Sequence, residues 1–305
     1  MAPETAGDPM GVLLNWTRKS TCSISSALKD LGIDISPNTT GKVLKSIGYS
    51  LKSNRKSIST TRHPDRNQQF QVIGSKIKEF EDMGYPVISV DTKKKEPVGN
   101  FSNKGKAYCI EAEKTLDHDF ISNASGKINP YGIFDKQANK GAVIIGTDND
   151  TPEFAVDAIE TWLTNMGMMM YPAMKKVLIL CDSGGSNGYR KHGWRYHLYN
   201  KLASKYGIEV QVCHYPSGAS KWNPIEHRMF SYISKNWAGI PLRTIGIAKN
   251  YIETTTTKKG LKIKAFLNYK EYQSGQKYDK KVVENEIKIK WNETLPQWNY
   301  SILPN

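Results

Sequence analysis

Cysteine and long apolar runs are both scarce in this sequence. The four cysteines are far apart and form no C-x-x-C pair, which argues against a structural zinc site or a disulfide framework and favours a reducing compartment. No segment approaches the roughly 20 apolar residues that a membrane-spanning helix needs. The N-terminus has neither the basic nor the apolar region of a secretion signal. The sequence therefore predicts a cytoplasmic protein that does not enter a membrane.

Several short catalytic motifs are also missing. The sequence has no G-x-x-x-x-G-K-[ST] loop and no G-x-G-x-x-G after an apolar run, which argues against these nucleotide-binding loops. Its histidines form no H-E-x-x-H pair, which argues against a zinc protease.

Acidic residues are outnumbered by basic ones. Lys and Arg total 43 against 29 Asp and Glu, and the formal net charge is +14. Such a charge repels itself unless a polyanion binds it, and nucleic acid is the usual partner, although ribosome-bound and membrane-surface proteins share the trait. The length of 305 residues, 38% of them hydrophobic, allows one large domain and a smaller one.

The first 50 residues predict a small all-α domain. Residues 20–48 have the pattern of two short helices around a turn, with Gly32 ending the first helix. Ser36 offers an N-cap and Pro37 an N1 residue for the second helix. The buried face of this second helix is expected to consist of Val43, Leu44 and Ile47.

This spacing is typical of a helix-turn-helix DNA-binding region. The side chains free to meet a DNA groove would be Asn38, Thr39, Lys42 and Lys45. A plain helical hairpin within a core explains the same stretch equally well. Residues 51–85 follow as a basic linker and a helix, and the linker has the charge to lie near phosphates.

From residue 86 the pattern changes to strands alternating with helices. The run 86–90 is apolar and β-branched, as in a strand buried on both faces. Further strands are expected at 106–110, 131–134, 142–146, 176–181 and 208–215. Helices are expected from 151, over 194–206 and over 224–237. This order predicts an α/β fold with a mixed sheet flanked by helices over 86–254. A basic C-terminal extension, 255–305, has one weak strand near 261–267.

Three acids stand out by their positions in this pattern. Asp91 ends the first buried strand, Asp182 ends the strand 176–181, and Glu226 lies in the first turn of the last helix. Neighbouring strands bring their ends together, so all three could meet at one edge of the sheet. Converging carboxylates need a cation, and hard oxygen ligands suit Mg²⁺ or Mn²⁺. Two such ions support phosphodiester cleavage.

Each acid also has a structural explanation. Asp91 could simply be the residue at which a buried strand reaches solvent. Asp182 could accept hydrogen bonds from backbone amides of the glycine-containing loop that follows it. Asn223 and Glu226 form a capping-box pattern, with Asn as the N-cap and Glu at N3. Asp148 and Asp150 are competing acids, but their place just before a helix favours a capping role.

Longer segments show a family resemblance. Residues 86–101, PVISVDTKKKEPVGNF, residues 181–190, CDSGGSNGYR, and residues 212–239, VCHYPSGASKWNPIEHRMFSYISKNWAG, resemble in order the blocks of the Rhodopirellula-type transposases. These are DDE insertion-sequence transposases of the ISAzo-thirteen group. Upstream segments such as LLNWTRKST and HPDRNQQF resemble the DNA-binding region and linker of that family. The similarity runs from about residue 8 to 300.

The resemblance implies an RNase H-like catalytic domain over 86–254, with Asp91, Asp182 and Glu226 as its catalytic triad and metal ligands. It implies two Mg²⁺ or Mn²⁺ ions, cleavage of DNA at the ends of a mobile element, and transfer of the cut strand to target DNA. The resemblance implies double-stranded DNA as a partner, both as terminal inverted repeats and as target DNA. It also implies that several copies of the chain assemble on that DNA. The implied location is the nucleoid of a prokaryote.

Two departures from the family leave alternatives open. Family members carry a further helical segment upstream, so this chain is expected to be truncated at its N-terminus or to start at a mis-assigned position. Ser183 stands where glycine is expected. A decayed or domesticated transposase that only binds DNA, and a related RNase H-like nuclease such as a junction resolvase, are the alternative functions.

Basic and aromatic residues beside the three acids are candidates for DNA contact. Those expected to meet phosphates near the cut are Lys93, Lys94, Lys95, Lys221 and Arg228. Trp222 could stack on an unpaired base. A solvated charged face and burial of the tryptophan in the core are the corresponding structural explanations.

Overall fold

The computed structural model describes residues 5–6, 16–17, 19–52 and 63–305, so part of the N-terminal segment and residues 53–62 of the predicted linker lie outside it. The chain divides into two units, residues 1–58 and 59–305. The helices are α1 (Thr21–Asp30), α2 (Pro37–Ser46), α3 (Arg66–Asp82), α4 (Pro152–Trp162), α5 (Met168–Met170), α6 (His192–Leu198), α7 (Ser204–Tyr206), α8 (Ser231–Asn236), α9 (Ile245–Glu253) and α10 (Lys280–Glu286). The strands are β1 (Thr5–Ala6), β2 (Trp16–Thr17), β3 (Val87–Thr92), β4 (Glu96–Val98), β5 (Gly126–Asp135), β6 (Lys140–Gly146), β7 (Lys176–Cys181), β8 (Glu209–His214), β9 (Lys262–Asn268), β10 (Ile289–Trp291) and β11 (Asn299–Ile302).

The first unit contains the predicted pair of short helices. Ser36 caps α2, because its hydroxyl accepts the Thr39 N–H at 3.1 Å. Gly32 follows α1 with a φ of +83°, a left-handed conformation that glycine adopts without strain. The prediction that Val43, Leu44 and Ile47 form the buried face of α2 is wrong, since Val43 is 47% exposed and Ile47 61% exposed. Two short helices bury only the residues along their line of contact, here Ile24 and Thr40.

The second unit is built on a nine-stranded mixed sheet. The strand order is β10-β11-β8-β7-β3-β5-β6-β9, and β4 pairs with β5 outside this path. Strands β3, β5 and β6 form an antiparallel meander, whereas β7 and β8 add to β3 in parallel. Three antiparallel strands followed by two parallel ones are the RNase H-like order, so the predicted fold class is confirmed.

The central strands are apolar on both faces because helices cover both sides of the sheet. In β3, Ile88 and Val90 pack in a core shared with α4 and α6, while Val87 packs with Ile73 and Phe80 of α3. A third cluster lies under α8 and α9 beside β5, β6 and β9. Continuous burial of Val87–Val90 is therefore the expected pattern for a central strand of a three-layer fold.

Two details of the expected organisation differ from the structure. The stretch 106–110 forms no strand, and its apolar side chains Tyr108 and Ile110 are fully exposed, whereas a strand of the sheet would bury them. Residues 255–305 are not a separate extension, since β9 pairs with β6 and β11 pairs with β8. Within the described residues, no helix combines the length and hydrophobicity needed to cross a bilayer.

Candidate active site

The sheet brings two of the three predicted acids to one edge. Asp91 is the next-to-last residue of β3, and Asp182 directly follows β7. These strands are parallel neighbours, with Ser89 opposite Leu180, so both chains leave the sheet at the same end. The Thr92 N–H donates to Asp91 Oδ1 at 2.8 Å and fixes that carboxylate.

Glu226 reaches the same edge from a helix. It opens the π-helical turn Glu226–Phe230 that leads into α8. The Glu226 charge is among the causes that raise the pKa of Asp91 and of Asp182, so its side chain lies near both carboxyl groups. The structure therefore brings together all three acids that the sequence singled out.

Asn223 joins the two strands to this helix. Its side chain is fully buried and donates to the Val90 carbonyl and to Asp182 Oδ1, each at 3.2 Å. It also accepts a hydrogen bond from the Ser89 hydroxyl, and Ser89 Oγ in turn accepts the Ile225 N–H at 3.0 Å. One asparagine thus sets the relative positions of β3, Asp182 and the Glu226 turn.

The capping-box interpretation of Asn223 and Glu226 is wrong. The Asn223 side chain bonds to β3 and Asp182, and the Glu226 N–H donates to the Asn223 backbone carbonyl at 3.2 Å. Sequence reasoning therefore missed the role of Asn223 and its partner Ser89. The available signal was Ser89 itself, a polar residue in the middle of an apolar strand.

A glycine allows the Glu226 helix to approach the sheet. Gly132 lies opposite Asp91 in β5. A Cβ at this position would lie 2.5 Å from the Phe230 ring and 2.8 Å from the Ile225 side chain. Any larger residue would therefore force these two side chains of the Glu226 helix to shift.

The electrostatics show an excess of negative charge at this edge. Burial raises the pKa of Asp91 to about 8, and the charges of Asp182 and, to a lesser extent, Glu226 add to the effect. Burial also raises the pKa of Asp182 to about 6, with a further contribution from Glu226. These causes outweigh the hydrogen bonds from Thr92 and Asn223, which act in the opposite direction.

An open pocket of about 490 Å³ lies over the Asp91 and Asp182 carboxylates. Asp91, Asp150 and Asp182 line it, together with the loops 183–187 and 216–220. Among the described residues, no three His, Cys, Asp or Glu side chains already surround a single metal position. Mg²⁺ is usually held by one or two carboxylates and keeps several waters, so the oxygen donors and the space fit such an ion.

A buried histidine supports the Asp182 turn from below. His214 Nδ1 lies 3.0 Å from the Asp182 carbonyl oxygen, and Nε2 lies 3.2 Å from the Tyr300 hydroxyl of β11. Burial lowers the pKa of His214 to about 4, so the imidazole is neutral at pH 7. Residue type and spacing did not indicate this role, which depends on a strand 86 residues further along the chain.

The predicted DNA contacts near the cut differ in their placement. Lys93 does not face solvent, because its ammonium pairs with Glu96 at 2.9 Å and lies over the Trp237 ring at 4.5 Å. This placement corrects the expectation that Lys93 meets phosphate, since its charge is already neutralised by Glu96. Lys94 and Lys95 remain exposed.

The second group of predicted contacts is on the surface. Lys221 and Arg228 are exposed, and Trp222 is 55% exposed with its ring edge against Phe70. The alternative that Trp222 is buried in the core is therefore wrong. In the first unit the four predicted groove residues are also exposed, namely Asn38, Thr39, Lys42 and Lys45.

The chain was compared with protein families and with solved structures. The model of the family described as "Rhodopirellula transposase DDE domain" matches residues 1–304. The chain is similar to a structure of the Mos1 transposase paired-end complex with left transposon end, at 12% identity and a TM-score of 0.43, over 77% of this chain and 65% of that one. A pre-cleavage Mos1 transpososome is similar at 10% identity and a TM-score of 0.45, over 81% and 72% of the two chains.

No curated protein matches the chain, and it spans slightly less than two thirds of the Mos1 chain in the paired-end complex. The family match, in contrast, extends over residues 1–304 and includes the strands and the turn that carry Asp91, Asp182 and Glu226. The chain therefore belongs to the Rhodopirellula family of DDE transposases.

Proposed function

We propose that the protein cuts DNA at the ends of an insertion sequence and transfers the cut strand to target DNA in a divalent-metal-dependent reaction. The observation that carries this proposal is the meeting of Asp91, Asp182 and Glu226 at one edge of an RNase H-like sheet. Membership of a DDE transposase family supports the same reaction class. Cleavage and joining then share one acidic site.

The proposed cofactor is Mg²⁺ or Mn²⁺, bound as two ions by Asp91, Asp182 and Glu226. Such ions lower the pKa of water and stabilise the leaving oxygen of a phosphodiester. The residues support this assignment through their charge, because the charges of Asp182 and Glu226 raise the pKa of Asp91, and that of Glu226 raises the pKa of Asp182. Ionising all three groups requires a compensating positive charge.

The surrounding residues hold these carboxylates in position. The Thr92 N–H and the Asn223 amide each donate to one acid, which favours the ionised form that binds a cation. His214 stays neutral beneath Asp182 and adds no charge that would compete with a cation. The chain thus provides an acidic centre supported by uncharged groups.

The basic surface supports binding of a DNA partner. We place Lys94, Lys95, Lys221 and Arg228 on phosphates near the cut, and Trp222 on an unpaired base, since each of these side chains is exposed. In the first unit, Asn38, Thr39, Lys42 and Lys45 of α2 would read the terminal inverted repeats. Several copies of the chain would assemble on the paired ends.

An Asp182→Asn variant tests the proposed reaction. We expect this variant to bind a duplex carrying the terminal inverted repeat as the natural protein does, because the amide keeps the size of the side chain. Cleavage and strand transfer should fall at least about a thousandfold, since losing a metal ligand removes several kcal/mol of transition-state stabilisation. A gel assay with Mg²⁺ that scores nicked and joined products separately measures both steps.

Asp82→Asn is the matched control, because Asp82 is an exposed acid at the end of α3. It should cut and join at the natural rate. Undiminished cleavage by Asp182→Asn would contradict the proposed metal ligand. Nicked products without joined ones from the natural protein would instead indicate an RNase H-like nuclease, and DNA binding without cleavage would indicate a non-catalytic relative.

A further inference from the structure

A carboxylate outside the predicted triad also lines the acidic pocket. Asp150 precedes α4 and lines the 490 Å³ pocket together with Asp91 and Asp182. We propose that Asp150 binds a divalent cation in this pocket, as an additional ligand beyond the three acids of the triad. This inference rests on the proposed function, because it concerns the same metal-dependent site.

The capping role expected for Asp150 from the sequence is taken by another residue. The Thr151 hydroxyl accepts the Phe154 N–H at 3.2 Å and caps α4. The neighbouring acid, Asp148, accepts the Tyr272 N–H at 2.5 Å. Asp150 has neither function, so a structural explanation of its carboxylate is missing.

One oxygen of Asp150 is buried without a hydrogen-bond partner. Within the described part of the chain, Asp150 Oδ1 is shielded from solvent and no donor lies within reach. A buried carboxylate oxygen almost always has a donor or a cation beside it, because an unpaired one costs a large part of its hydration energy. A metal ion, directly or through one of its waters, would supply the missing partner.

Two further buried hydroxyl groups lack partners beside the same acids. Tyr131 and Thr92 lie opposite each other in β5 and β3, and neither side-chain oxygen has a hydrogen-bond partner in the described residues. The Tyr131 ring is completely buried, and Thr92 lines the same pocket as Asp91, Asp150 and Asp182. A hydroxyl group can donate a hydrogen bond to a water molecule or a carboxylate.

These observations point to a hydrated cation. Mg²⁺ and Mn²⁺ keep several waters when few carboxylates bind them, and second-shell groups hold such waters in place. The hydroxyl groups of Tyr131 and Thr92 are suited to that task, whereas Asp150 supplies charge from the α4 side. Three acids therefore line the pocket, namely Asp91, Asp150 and Asp182.

Mn²⁺ binding to the full chain without DNA tests this proposal. Electron paramagnetic resonance of free Mn²⁺ during a titration gives the affinity of the bound ions. We expect Asp150→Asn to weaken at least one Mn²⁺ site by at least about tenfold, the lower end of the effects seen when groups around a metal are changed. Asp148→Asn is the matched control, since its amide oxygen can still accept the Tyr272 N–H, and its affinity should be unchanged.

Asp182→Asn in the same titration separates this inference from the proposed function. If Asp182→Asn binds Mn²⁺ weakly and Asp150→Asn binds it with the affinity of the natural protein, Asp150 is not a metal ligand. The proposed role of the three triad acids would then still stand. Natural binding by both variants would overturn the proposed metal site itself. Asp150→Asn should also melt in EDTA at or above the temperature of the natural protein, because an unpaired charge is removed.

A loss of folding in Asp150→Asn would overturn the proposal as well. A carboxylate whose buried oxygen has no protein partner cannot be needed for folding in the absence of metal. Circular dichroism in EDTA checks this outcome before each titration. A smaller rise in melting temperature on adding Mg²⁺, compared with the natural protein, would agree with the Mn²⁺ result.

Discussion

Asp91 lies in the middle of the acidic edge, and its protonation affects the stability of the metal-free protein. An unfolded aspartate has a pKa near 4, whereas burial and the neighbouring acids raise the pKa of Asp91 to about 8. Between about pH 4 and 8 the folded chain therefore holds a proton that the unfolded chain has released. The free energy of unfolding consequently falls as the pH rises through this window.

Asp91→Asn should remove this pH-dependent loss. In EDTA, we expect the variant to gain stability relative to the natural protein between pH 5 and pH 8, by at least about 1.4 kcal/mol, the equivalent of one pKa unit. Urea denaturation at both pH values measures the difference, and comparison with the natural protein cancels the titration of other groups. Asp82→Asn should follow the natural protein at both values. Parallel curves for Asp91→Asn and the natural protein would contradict the raised pKa.

Single residues also show what a local reading of the sequence can and cannot find. Asp91 and Asp182 were identifiable because each follows an apolar run that could only be a buried strand. Asp150 was assigned to capping because it precedes a helix, yet Thr151 caps that helix. The choice between two adjacent polar residues depends on backbone direction, which a sequence pattern does not contain.

At the scale of elements, Asn223 holds β3, the Asp182 turn and the start of the α8 helix together. Asn223→Ala would leave the Val90 carbonyl unpaired and create a small cavity, and we expect a loss of about 2 to 3 kcal/mol in the free energy of unfolding. The pKa of Asp182 should rise further, because the Asn223 amide acts to lower it. Urea denaturation and NMR titration of the aspartate carboxyl groups measure the two effects.

Asn200→Ala is the control for this prediction. Asn200 is an exposed helical asparagine that donates to the Tyr196 carbonyl one turn earlier, and its replacement should change stability by less than about 0.5 kcal/mol. Equal stability of Asn223→Ala and Asn200→Ala would show that the buried hydrogen bonds of Asn223 do not hold these elements together.

Elements were predicted well where a chemical pattern is strong. The strand predicted at 176–181 has the same bounds in the structure, because an apolar run between charged residues is typical of a buried strand. The stretch 106–110 looks similar but forms no strand, since a strand needs a partner with free backbone groups. Whether such a partner exists depends on the arrangement of the whole sheet.

At the scale of the whole molecule, the net charge of +14 predicts strongly salt-dependent DNA binding. The double variant Lys42→Ala/Lys45→Ala should make the slope of log affinity against log salt less steep by about two, one for each lost phosphate contact. A fluorescence titration of the full chain with a short duplex at several salt concentrations measures this slope.

Lys249→Ala is the control for the salt dependence, because Lys249 lies in the second unit and pairs with Glu253 at 2.8 Å. Its slope should equal that of the natural protein. An unchanged slope in the Lys42→Ala/Lys45→Ala variant would show that α2 does not meet phosphates and would favour the alternative of a helical hairpin without a DNA contact.

The sequence by itself determined the strand and helix types, the basic character, the family resemblance and the three candidate acids. The spacing of apolar residues and the capping residues can be read from short segments, and the net charge is a sum over all residues. None of these properties requires knowledge of the tertiary structure. Only the tertiary structure decided that β9 and β11 extend the central sheet, that Asn223 links the strands to the helix, and that Asp150 enters the acidic pocket. These depend on contacts between residues far apart in the chain, such as Ser89 with Asn223 and His214 with Tyr300. Such contacts exist only once the sheet has set the distances between its strands.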